Sequence, residues 1–330
     1  MSSASKIKVG IAGGAGYTGG ELIRILINHP NVDITFIHSK SNAGNFIYNV
    51  HHDLLGDTQL KFSNELNSNI DVLFLCVGHG DAGKFLKENK IDKKIKIIDL
   101  SQDFRAKENS KNEDRTFTYG LPELNKEAIK KSDNIANPGC FATCIQLSLL
   151  PLAATNALKS EIHISATTGS TGAGQSLSET SHFSWRNNNQ SVYKAFEHQH
   201  LKEIKQSLKQ LQSSFTNDVN FIPSRGAFTR GIIASVYTEC SLELDEVKKM
   251  YVTYYSSHPF VYVSETNINL KQVVNTNKCF LYIEKHGSKL MITSIIDNLL
   301  KGASGQAVQN MNLIFGLEET TGLKLKGSAF

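Results

Sequence analysis

The first part of the chain alternates short apolar runs with segments in which apolar residues recur three and four positions apart. The apolar runs predict strands at residues 7–12, 32–37, 71–78 and 96–100. A helix is predicted at 21–28, and it ends at His29-Pro30 because proline cannot continue the helical pattern. Continuous apolar strands with helices between them predict a parallel sheet that is covered on both faces.

The pattern changes after about residue 150. Strands are predicted at 162–167, 231–239, 260–263, 277–283 and 289–296, the last two forming a hairpin around His286-Gly287. Helices are predicted at 145–152, 192–211 and 307–317, and 181–190 is predicted to be a polar surface excursion. The fold class is therefore α/β: a Rossmann-type, doubly wound parallel sheet. It is joined to an α+β domain with a largely antiparallel sheet, one face of which is open to water or to a partner subunit.

A glycine-rich turn follows the first predicted strand. Gly14, Gly16 and Gly19 fit the pattern GxGxxG, and Gly13 gives a GxxGxxG variant with the last two. The order strand, turn, helix, strand is the context in which such glycines let the backbone approach a pyrophosphate at a helix N-terminus. The turn therefore predicts a dinucleotide site.

The loop after the second strand bears on the choice of cofactor. NAD sites usually place a carboxylate there, but this chain has His38-Ser39-Lys40-Ser41. A lysine between two serines suits a 2′-phosphate, so the pattern favours NADP over NAD. The alternative is an ordinary polar loop.

The stretch Asn137-Pro138-Gly139-Cys140 leads into the apolar helix. Cys140 is thereby predicted in the first helical turn, where unpaired N–H groups and the helix dipole stabilise a thiolate. Gly139 leaves room for a substrate. The pattern predicts a nucleophile, and the alternative is a small buried cysteine of the core.

Composition narrows the possible classes. The five cysteines are odd in number and form no CxxC pair, which argues against a disulfide framework and a zinc site, so we expect no metal. A net charge of +4 without a basic stripe argues against nucleic-acid binding. No apolar run is long enough for a membrane span and no signal-peptide core is evident, so we expect a cytoplasmic protein.

Several motifs, taken together and in this order, carry a family resemblance. They are Gly13-x-x-Gly16-Tyr17-Thr18-Gly19, Asp99-Leu100-Ser101-x-Asp103-Phe104-Arg105, Tyr119-Gly120-Leu121-Pro122-Glu123, Asn137-Pro138-Gly139-Cys140, Thr168-Gly169-x-x-Gly172-Ala173-Gly174, His198-x-His200-x-x-Glu203-Ile204, Arg230-Gly231 and Asp297-Asn298-Leu299-x-Lys301-Gly302-Ala303-x-Gly305-Gln306-Ala307. The chain resembles the N-acetyl-γ-glutamyl-phosphate reductases of arginine biosynthesis, within the aspartate-semialdehyde dehydrogenase group.

The resemblance implies that an acyl phosphate is reduced to an aldehyde with NADPH, and that Cys140 is the nucleophile. It places the acid/base histidine in the segment with His198 and His200. We favour His200, because Glu203 lies one turn later and can orient it; His198 is the alternative. The resemblance also returns the C-terminal helix to the cofactor domain, so the domains are expected at 1–140 with 301–330, and at 141–300. The second domain would carry the interface of a homodimer or homotetramer.

Binding residues are expected on the same basis. For the cofactor they are Gly13, Gly16, Tyr17, Thr18, Gly19, Ser39, Lys40, Ser41, Gly78, Ser170, Gly172 and Asn298. For the phosphate and carboxylate of the substrate they are Arg105, Asn137, Ser170, Arg225, Arg230 and Lys301. Arginine is expected because its guanidinium binds such oxyanions in a bidentate manner.

One segment departs from the family pattern. Many members carry His-Leu-Val-Pro where this chain has residues 224–227, which introduces Arg225 and Gly226. An N-succinyl substrate, whose extra carboxylate Arg225 would bind, is therefore an alternative to the N-acetyl one. A carrier-linked acyl phosphate of the lysine type is another, and aspartyl phosphate is disfavoured by the Gly-Tyr-Thr-Gly and Tyr-Gly-Leu-Pro-Glu matches. An alternative of another class is a non-catalytic NADP-binding sensor, which would need the glycine turn but not Cys140.

Overall fold

The computed structural model describes residues 5–328. These residues form two compact units. The first comprises the described residues up to Gly120, together with Asn125–Pro138 and Ala303–Lys324. The second comprises Leu121–Leu124, Gly139–Gly302 and the described residues from Leu325 onward.

The strands are β1 (Ile7–Ala12), β2 (Val32–His38), β3 (Phe62–Ser63), β4 (Val72–Leu75), β5 (Lys96–Asp99), β6 (Lys111–Asn112), β7 (Arg115–Thr116), β8 (Thr118–Tyr119), β9 (Asn134–Ala136), β10 (Ile162–Thr168), β11 (Ser191–Val192), β12 (Val219–Arg225), β13 (Ile232–Glu239), β14 (Val261–Ser264), β15 (Cys279–His286) and β16 (Lys289–Ile296). The α-helices are α1 (Tyr17–Leu26), α2 (Ala82–Glu88), α3 (Pro122–Lys130, interrupted at Asn125), α4 (Cys140–Ala154), α5 (Phe183–Arg186), α6 (His200–Leu211), α7 (Leu244–Tyr255) and α8 (Gly305–Ile314). A π-helical turn, Leu300–Ser304, precedes α8.

The first unit is built on a parallel sheet in the order β3-β2-β1-β4-β5-β9-β8. Strand β4 is fully buried, as expected for a central parallel strand with both faces covered. Leu22 and Ile23 of α1 are also fully buried. The doubly wound α/β fold expected from the apolar runs is confirmed.

The second unit contains a mixed sheet in the order β11-β12-β10-β13-β16-β15-β14. Its central pairs β10–β13, β13–β16 and β16–β15 are antiparallel, and β15 and β16 form the expected hairpin. Helix α4 packs on β13 and β16, and its residues from Phe141 to Ala153 are buried. The opposite face of the sheet leaves Ile222, Tyr237 and Tyr262 exposed. The three antiparallel central pairs confirm the prediction of a largely antiparallel second sheet.

The helix predicted at 192–211 begins only at His200. Val192 instead pairs with Ser224 in β11, and the backbone of Lys194 and Phe196 has positive φ values of 46° and 63°, which no α-helix tolerates. Elements that were not predicted include β9, β12 and the helices α2, α3 and α7. Strand β12 contains Pro223, and a proline normally argues against a strand within a sheet. The proline is accommodated here because the neighbouring edge strand β11 is only two residues long.

Among the described residues, no helix is long and apolar enough to cross a membrane. Over residues 5–328, no group of three or more His, Cys, Asp or Glu side chains is arranged to hold a metal ion.

Candidate active site

The glycine-rich turn packs directly on the ends of the first-unit strands. A β-carbon on Gly13, whose φ is 79°, would lie 2.4 Å from the carbonyl oxygen of Cys76. One on Gly19 would lie 2.7 Å from the carbonyl oxygen of Gly13. Glycine is therefore required at both positions by close approach of the backbone.

The N–H groups of the turn divide into two sets. Those of Gly13 and Gly14 donate to the carbonyl oxygen of His38, each at 3.1 Å, so they hold the turn on β2 rather than a ligand. Helix α1 begins at Tyr17, not at residue 21 as predicted, so the orphan N–H groups of its first turn belong to Tyr17, Thr18 and their neighbours. This cradle fits a diphosphate.

His51 is a residue of this region that the sequence pattern did not reveal. Its Nε2 lies 2.8 Å from the carbonyl oxygen of Gly14, and burial lowers the pKa of the imidazole. The ring also fills the space where a β-carbon on Gly20 would lie, at 2.5 Å. His51 thus supports the glycine turn from a loop 37 residues after Gly14, and no local motif marks it.

The expected cofactor-selecting residues follow the end of β2. Ser39 is buried and Lys40 is exposed. The Nδ2 of Asn42 donates to the hydroxyl oxygens of Ser39 at 3.3 Å and Ser41 at 3.1 Å. A short, ordered hydroxyl-rich loop with one exposed ammonium results. Gly78, in the loop after β4, is exposed, and its carbonyl accepts the N–H of Asp81.

Arg105 and Asn137, expected to bind substrate, are buried within the first unit. Arg105 donates from Nε to the carbonyl of Asn137 at 2.8 Å and from Nη2 to that of Leu100 at 2.8 Å. The Asn137 amide donates to the carbonyl of Ala303 at 3.0 Å, and its Oδ1 accepts from Asn310 at 3.1 Å. The Asn137 side chain is therefore engaged in holding the backbone that leads into Pro138.

Cys140 is the first residue of α4, and Gly139 is the N-cap with extended backbone. His200 packs against Gly139: a β-carbon there would lie 2.3 Å from Nε2 of His200. The Oε2 of Glu203 accepts the Gly139 N–H at 2.9 Å, while its Oε1 lies 3.9 Å from His200 Nε2. Glu203 therefore anchors the backbone next to Cys140 in addition to facing His200.

His198 has different surroundings. Its Nδ1 accepts the backbone N–H of His200 at 3.2 Å, which supports the start of α6. Its ring makes edge contacts with Phe141, Tyr193 and Phe221, at centroid distances of 5.4–5.7 Å. Burial, and then the charge of Lys194, lowers the pKa of His198 to about 4.

Cys144, four residues after Cys140, is buried in the core. Its thiol donates to the carbonyl and hydroxyl oxygens of Ser294, and burial raises its pKa well above the ordinary value. Burial likewise raises the pKa of Cys279, whose sulfur lies 3.5 Å from the Ser294 hydroxyl oxygen, to about 12. Such thiols are poor nucleophiles.

Arg225 ends β12 and lies over the ring of Tyr193, with 4.9 Å between its guanidinium carbon and the ring centroid. Its Nε is buried and has no hydrogen-bond partner among the described residues. Arg186 donates to the carbonyl of Arg225 at 2.7 Å. Burial, then the neighbouring Cys140, raises the pKa of Tyr193 to about 12. Tyr193 and Arg186 were not predicted as site residues, because no local pattern marks them.

Arg230, Asn298 and Ser170 are held by other protein groups of the second unit. Arg230 forms a bidentate pair with Asp297, at 3.0 and 3.2 Å. Asn298 accepts the Gly231 N–H at 2.7 Å and donates to Thr171 at 3.0 Å. The Ser170 N–H donates to the carbonyl of Phe228. The backbone N–H of Ser170 is therefore engaged within the protein, and the binding role expected for Ser170 stays a prediction.

Gly172 and Lys301 also have close partners within the second unit. A β-carbon on Gly172 would meet Thr168 Oγ1 at 3.3 Å. Lys301 Nζ lies 2.7 Å from Glu123 Oε1, and both side chains are fully buried. The ammonium therefore contributes to the core, where it has no exposure to a ligand in solution.

Comparisons with known proteins agree with this architecture. Residues 8–132 match the family described as semialdehyde dehydrogenase, NAD binding domain, and residues 140–298 match semialdehyde dehydrogenase, dimerisation domain. Aspartate semialdehyde dehydrogenase II of Vibrio cholerae has the same fold, with a TM-score of 0.72 at 16% identity, covering 95% of this chain and 99% of that one. The enzyme of Candida albicans, solved with NADP, gives a TM-score of 0.70 at 14% identity, covering 94% and 99%.

Closer relatives are found among curated sequences. The N-acetyl-gamma-glutamyl-phosphate reductase of Flavobacterium johnsoniae is 60% identical, and that of Phocaeicola vulgatus 61% identical. Each alignment covers 98% of this chain and 100% of the relative.

The two matched domains and a cysteine at the start of a buried helix define the class of semialdehyde dehydrogenases. The similarity to the curated relatives over the full length is decisive within that class, and the chain belongs to the N-acetyl-γ-glutamyl-phosphate reductase family. It is an oxidoreductase with a domain for a nicotinamide cofactor, and its dimerisation domain indicates that it forms oligomers.

Proposed function

We propose that this chain reduces N-acetyl-L-glutamyl 5-phosphate to N-acetyl-L-glutamate 5-semialdehyde and phosphate, with NADPH, in arginine biosynthesis (EC 1.2.1.38). The observation that carries the proposal is Cys140 at the N-terminus of α4, with His200 packed on Gly139. The full-length relatives named N-acetyl-gamma-glutamyl-phosphate reductase supply the substrate class.

Cys140 is proposed to attack the acyl carbon as a thiolate, because a free acid cannot usefully accept hydride and a thioester can. His200 takes the thiol proton. The C–S bond forms as the C–O bond to phosphate breaks, and phosphate leaves with the electron pair. The helix N-terminus favours the negative sulfur before attack.

NADPH, when bound, supplies the hydride that reduces the thioester carbonyl. His200 then returns its proton to sulfur as the C–S bond breaks, which releases the aldehyde. Glu203 is proposed to fix the position of His200 relative to the Gly139 backbone, because its Oε2 accepts the Gly139 N–H and its Oε1 faces His200 Nε2. His198, neutral and packed among aromatic rings, is proposed to support the start of α6.

NADP rather than NAD is proposed as the cofactor. The support is the loop after β2, where Lys40 is exposed between two serines and an ammonium is a suitable partner for a 2′-phosphate. The first-turn N–H groups of α1, at Tyr17 and Thr18, are proposed to take the diphosphate.

The decisive assay is reduction of NADP by N-acetylglutamate semialdehyde, with and without phosphate. The expected result is phosphate-dependent reduction that is lost in Cys140→Ser, although this variant still folds and binds NADP. Intact NADP binding without any turnover in the unmodified protein would instead identify a sensor. Substantial activity in Cys140→Ser would contradict the thioester route.

A second candidate substrate carries an N-succinyl group in place of N-acetyl. The buried Nε of Arg225, which has no partner among the described residues, favours it, because a guanidinium in such a place is suited to a carboxylate. Arg186 adds a second cation nearby, and neither arginine is paired with a carboxylate in residues 5–328.

The two substrates are distinguished by kcat/KM for both acyl phosphates in the unmodified enzyme and in Arg225→Ala. If the N-succinyl compound is the substrate, Arg225→Ala lowers its kcat/KM about 10- to 100-fold and leaves the N-acetyl value nearly unchanged. Equal values for both compounds in the unmodified enzyme would remove a special role for Arg225. A carrier-linked substrate would show activity with neither free compound.

We further propose that the chain assembles as a homodimer or homotetramer through the exposed face of the second sheet, where Ile222, Tyr237 and Tyr262 lie. Light scattering of the purified protein, with Tyr237→Lys as the disruptive variant, tests this. A monomer in the unmodified protein would contradict it.

A further inference from the structure

Gly302 lies directly against the proposed nucleophile. A β-carbon on Gly302 would lie 2.8 Å from Cβ of Cys140 and 3.2 Å from its Cα. These distances leave no room for a side chain, and the φ of Gly302 lies outside the positive range, so close approach is what requires glycine here. The Gly302 backbone therefore packs beside the Cα–Cβ bond of Cys140 and limits the χ1 rotamers that its sulfur can adopt.

Gly302 belongs to a tightly hydrogen-bonded turn, residues 297–302, which we call the Asp297 turn. The Gly302 N–H donates to the carbonyl of Asp297 at 2.9 Å, five residues back, which is a π-helical bond. Single π-helical turns are rare and occur often at functional sites. The position of Gly302 therefore depends on where Asp297 is held.

The fully buried side chain of Asp297 holds the turn from inside. It accepts the N–H groups of Leu299 at 2.8 Å, Leu300 at 3.1 Å and Asn275 at 2.8 Å. Arg230 completes the set with its bidentate bonds at 3.0 and 3.2 Å. The guanidinium of Arg230 thus fixes the carboxylate around which the turn is wound.

Lys301 anchors the same turn on another side. Its ammonium pairs with Glu123 within the second unit, and the carbonyl of Glu123 in turn accepts the hydroxyl of Tyr254 at 3.0 Å. The residue before Gly302 is therefore also fixed in the core. The Gly302 backbone beside Cys140 is thus held both through Asp297 and through Lys301.

We propose that Arg230 and Asp297 are positioning residues: they hold the Asp297 turn so that Gly302 directs the sulfur of Cys140 toward the acyl phosphate. This inference rests on the proposed function, in which Cys140 is the nucleophile. It differs from the role that the sequence suggested for Arg230, which was direct binding of substrate oxyanions.

The test measures Cys140 without substrate or cofactor. The rate of Cys140 alkylation by iodoacetamide is followed by peptide mass spectrometry from about pH 6 to about pH 9, where cysteine thiolates form. The plateau at high pH reports access and orientation of the sulfur, and the midpoint reports its charge surroundings. Steady-state kcat and KM are measured on the same preparations.

In Arg230→Ala we expect the alkylation plateau to change about 10-fold, and kcat to fall about 100-fold with KM within about threefold, since small displacements of reacting groups have effects of this size. Arg230→Lys keeps the charge and should recover part of the alkylation plateau and part of kcat. This variant also keeps the test available if Arg230→Ala does not fold. Gly302→Ala should resemble Arg230→Ala. Gly83→Ala is the matched control, because a β-carbon on Gly83 meets nothing within 4 Å.

A raised KM in Arg230→Ala with an unchanged alkylation plateau would overturn the inference in favour of direct substrate binding. Gly302→Ala with the plateau and kcat of the unmodified enzyme would overturn it as well. Either result leaves the proposed function standing, whereas turnover in Cys140→Ser would remove the proposed function whatever the alkylation rates show.

Discussion

The imidazole of His200 occupies the space that a β-carbon on Gly139 would need. The distance from that β-carbon position to Nε2 would be 2.3 Å, far below van der Waals contact. The residue before the proposed nucleophile is therefore fixed as glycine by the position of its proposed acid/base partner. Glu203 adds to this arrangement by accepting the Gly139 N–H.

Gly139→Ala should displace His200 and leave Cys140 in place at the start of α4. We expect kcat to fall about 100-fold, because the proton-transfer group moves by about an ångström or more. Alkylation of Cys140 by iodoacetamide should persist. A variant with the unmodified kcat would show that His200 has no part in the rate-limiting chemistry. Gly83→Ala again serves as control.

Substitution of His200 should impair catalysis, whereas substitution of His198 should mainly impair stability. His200→Asn is expected to lower kcat about 10²- to 10⁴-fold, the usual contribution of general acid–base catalysis, and to retain the fold. His198→Gln should lower kcat less and should instead reduce the melting temperature, because His198 accepts the His200 N–H at the start of α6 and packs among aromatic rings. Rates with the opposite order would assign the acid/base role to His198.

Stability should depend on pH through His198. Burial lowers its folded pKa from 6.5 to about 4, so the folded state favours the neutral ring. The stabilisation is present in full above pH 6.5 and is lost as the pH falls toward 4. Melting temperatures of the unmodified protein should thus fall more steeply over this window than those of His198→Gln. Parallel curves would contradict the assignment.

Lys40 should select the cofactor. Lys40→Ala is expected to raise KM for NADPH about 10- to 100-fold, the value of a charge-assisted bond, and to leave KM for NADH unchanged. Lys87→Ala, an exposed lysine of α2, is the matched control. An equal effect of Lys40→Ala on both cofactors would show that it does not contact a 2′-phosphate.

Loss of one partner from the Lys301–Glu123 pair should destabilise the protein severely. Lys301→Met leaves the Glu123 carboxylate buried without its ammonium, which costs about 3–5 kcal/mol. The double variant Lys301→Met/Glu123→Leu should recover much of this, as measured by urea unfolding. A Lys301→Met variant as stable as the unmodified protein would show that other groups satisfy Glu123.

Much of the architecture was predictable from local patterns. The strands β1, β2, β4 and β5 and the β15–β16 hairpin were predicted close to their observed positions, because apolar runs and alternation report burial directly. The start of α6 was not, because its N-terminal boundary depends on β11 pairing with β12 and on positive φ values at Lys194 and Phe196. Such pairing joins segments about 30 residues apart and leaves no local signal.

By itself, the sequence determined the class of fold, the family, and the turn that carries Cys140, because glycines, periodicity and ordered motifs are local properties of the chain. The tertiary structure decided what each polar side chain does. Arg230 and Lys301 look alike in sequence as substrate-binding cations, yet each is paired with a carboxylate from a distant segment. Burial makes such pairing necessary, since a lone charge in the core is too costly, and only the folded chain shows which charges are buried together.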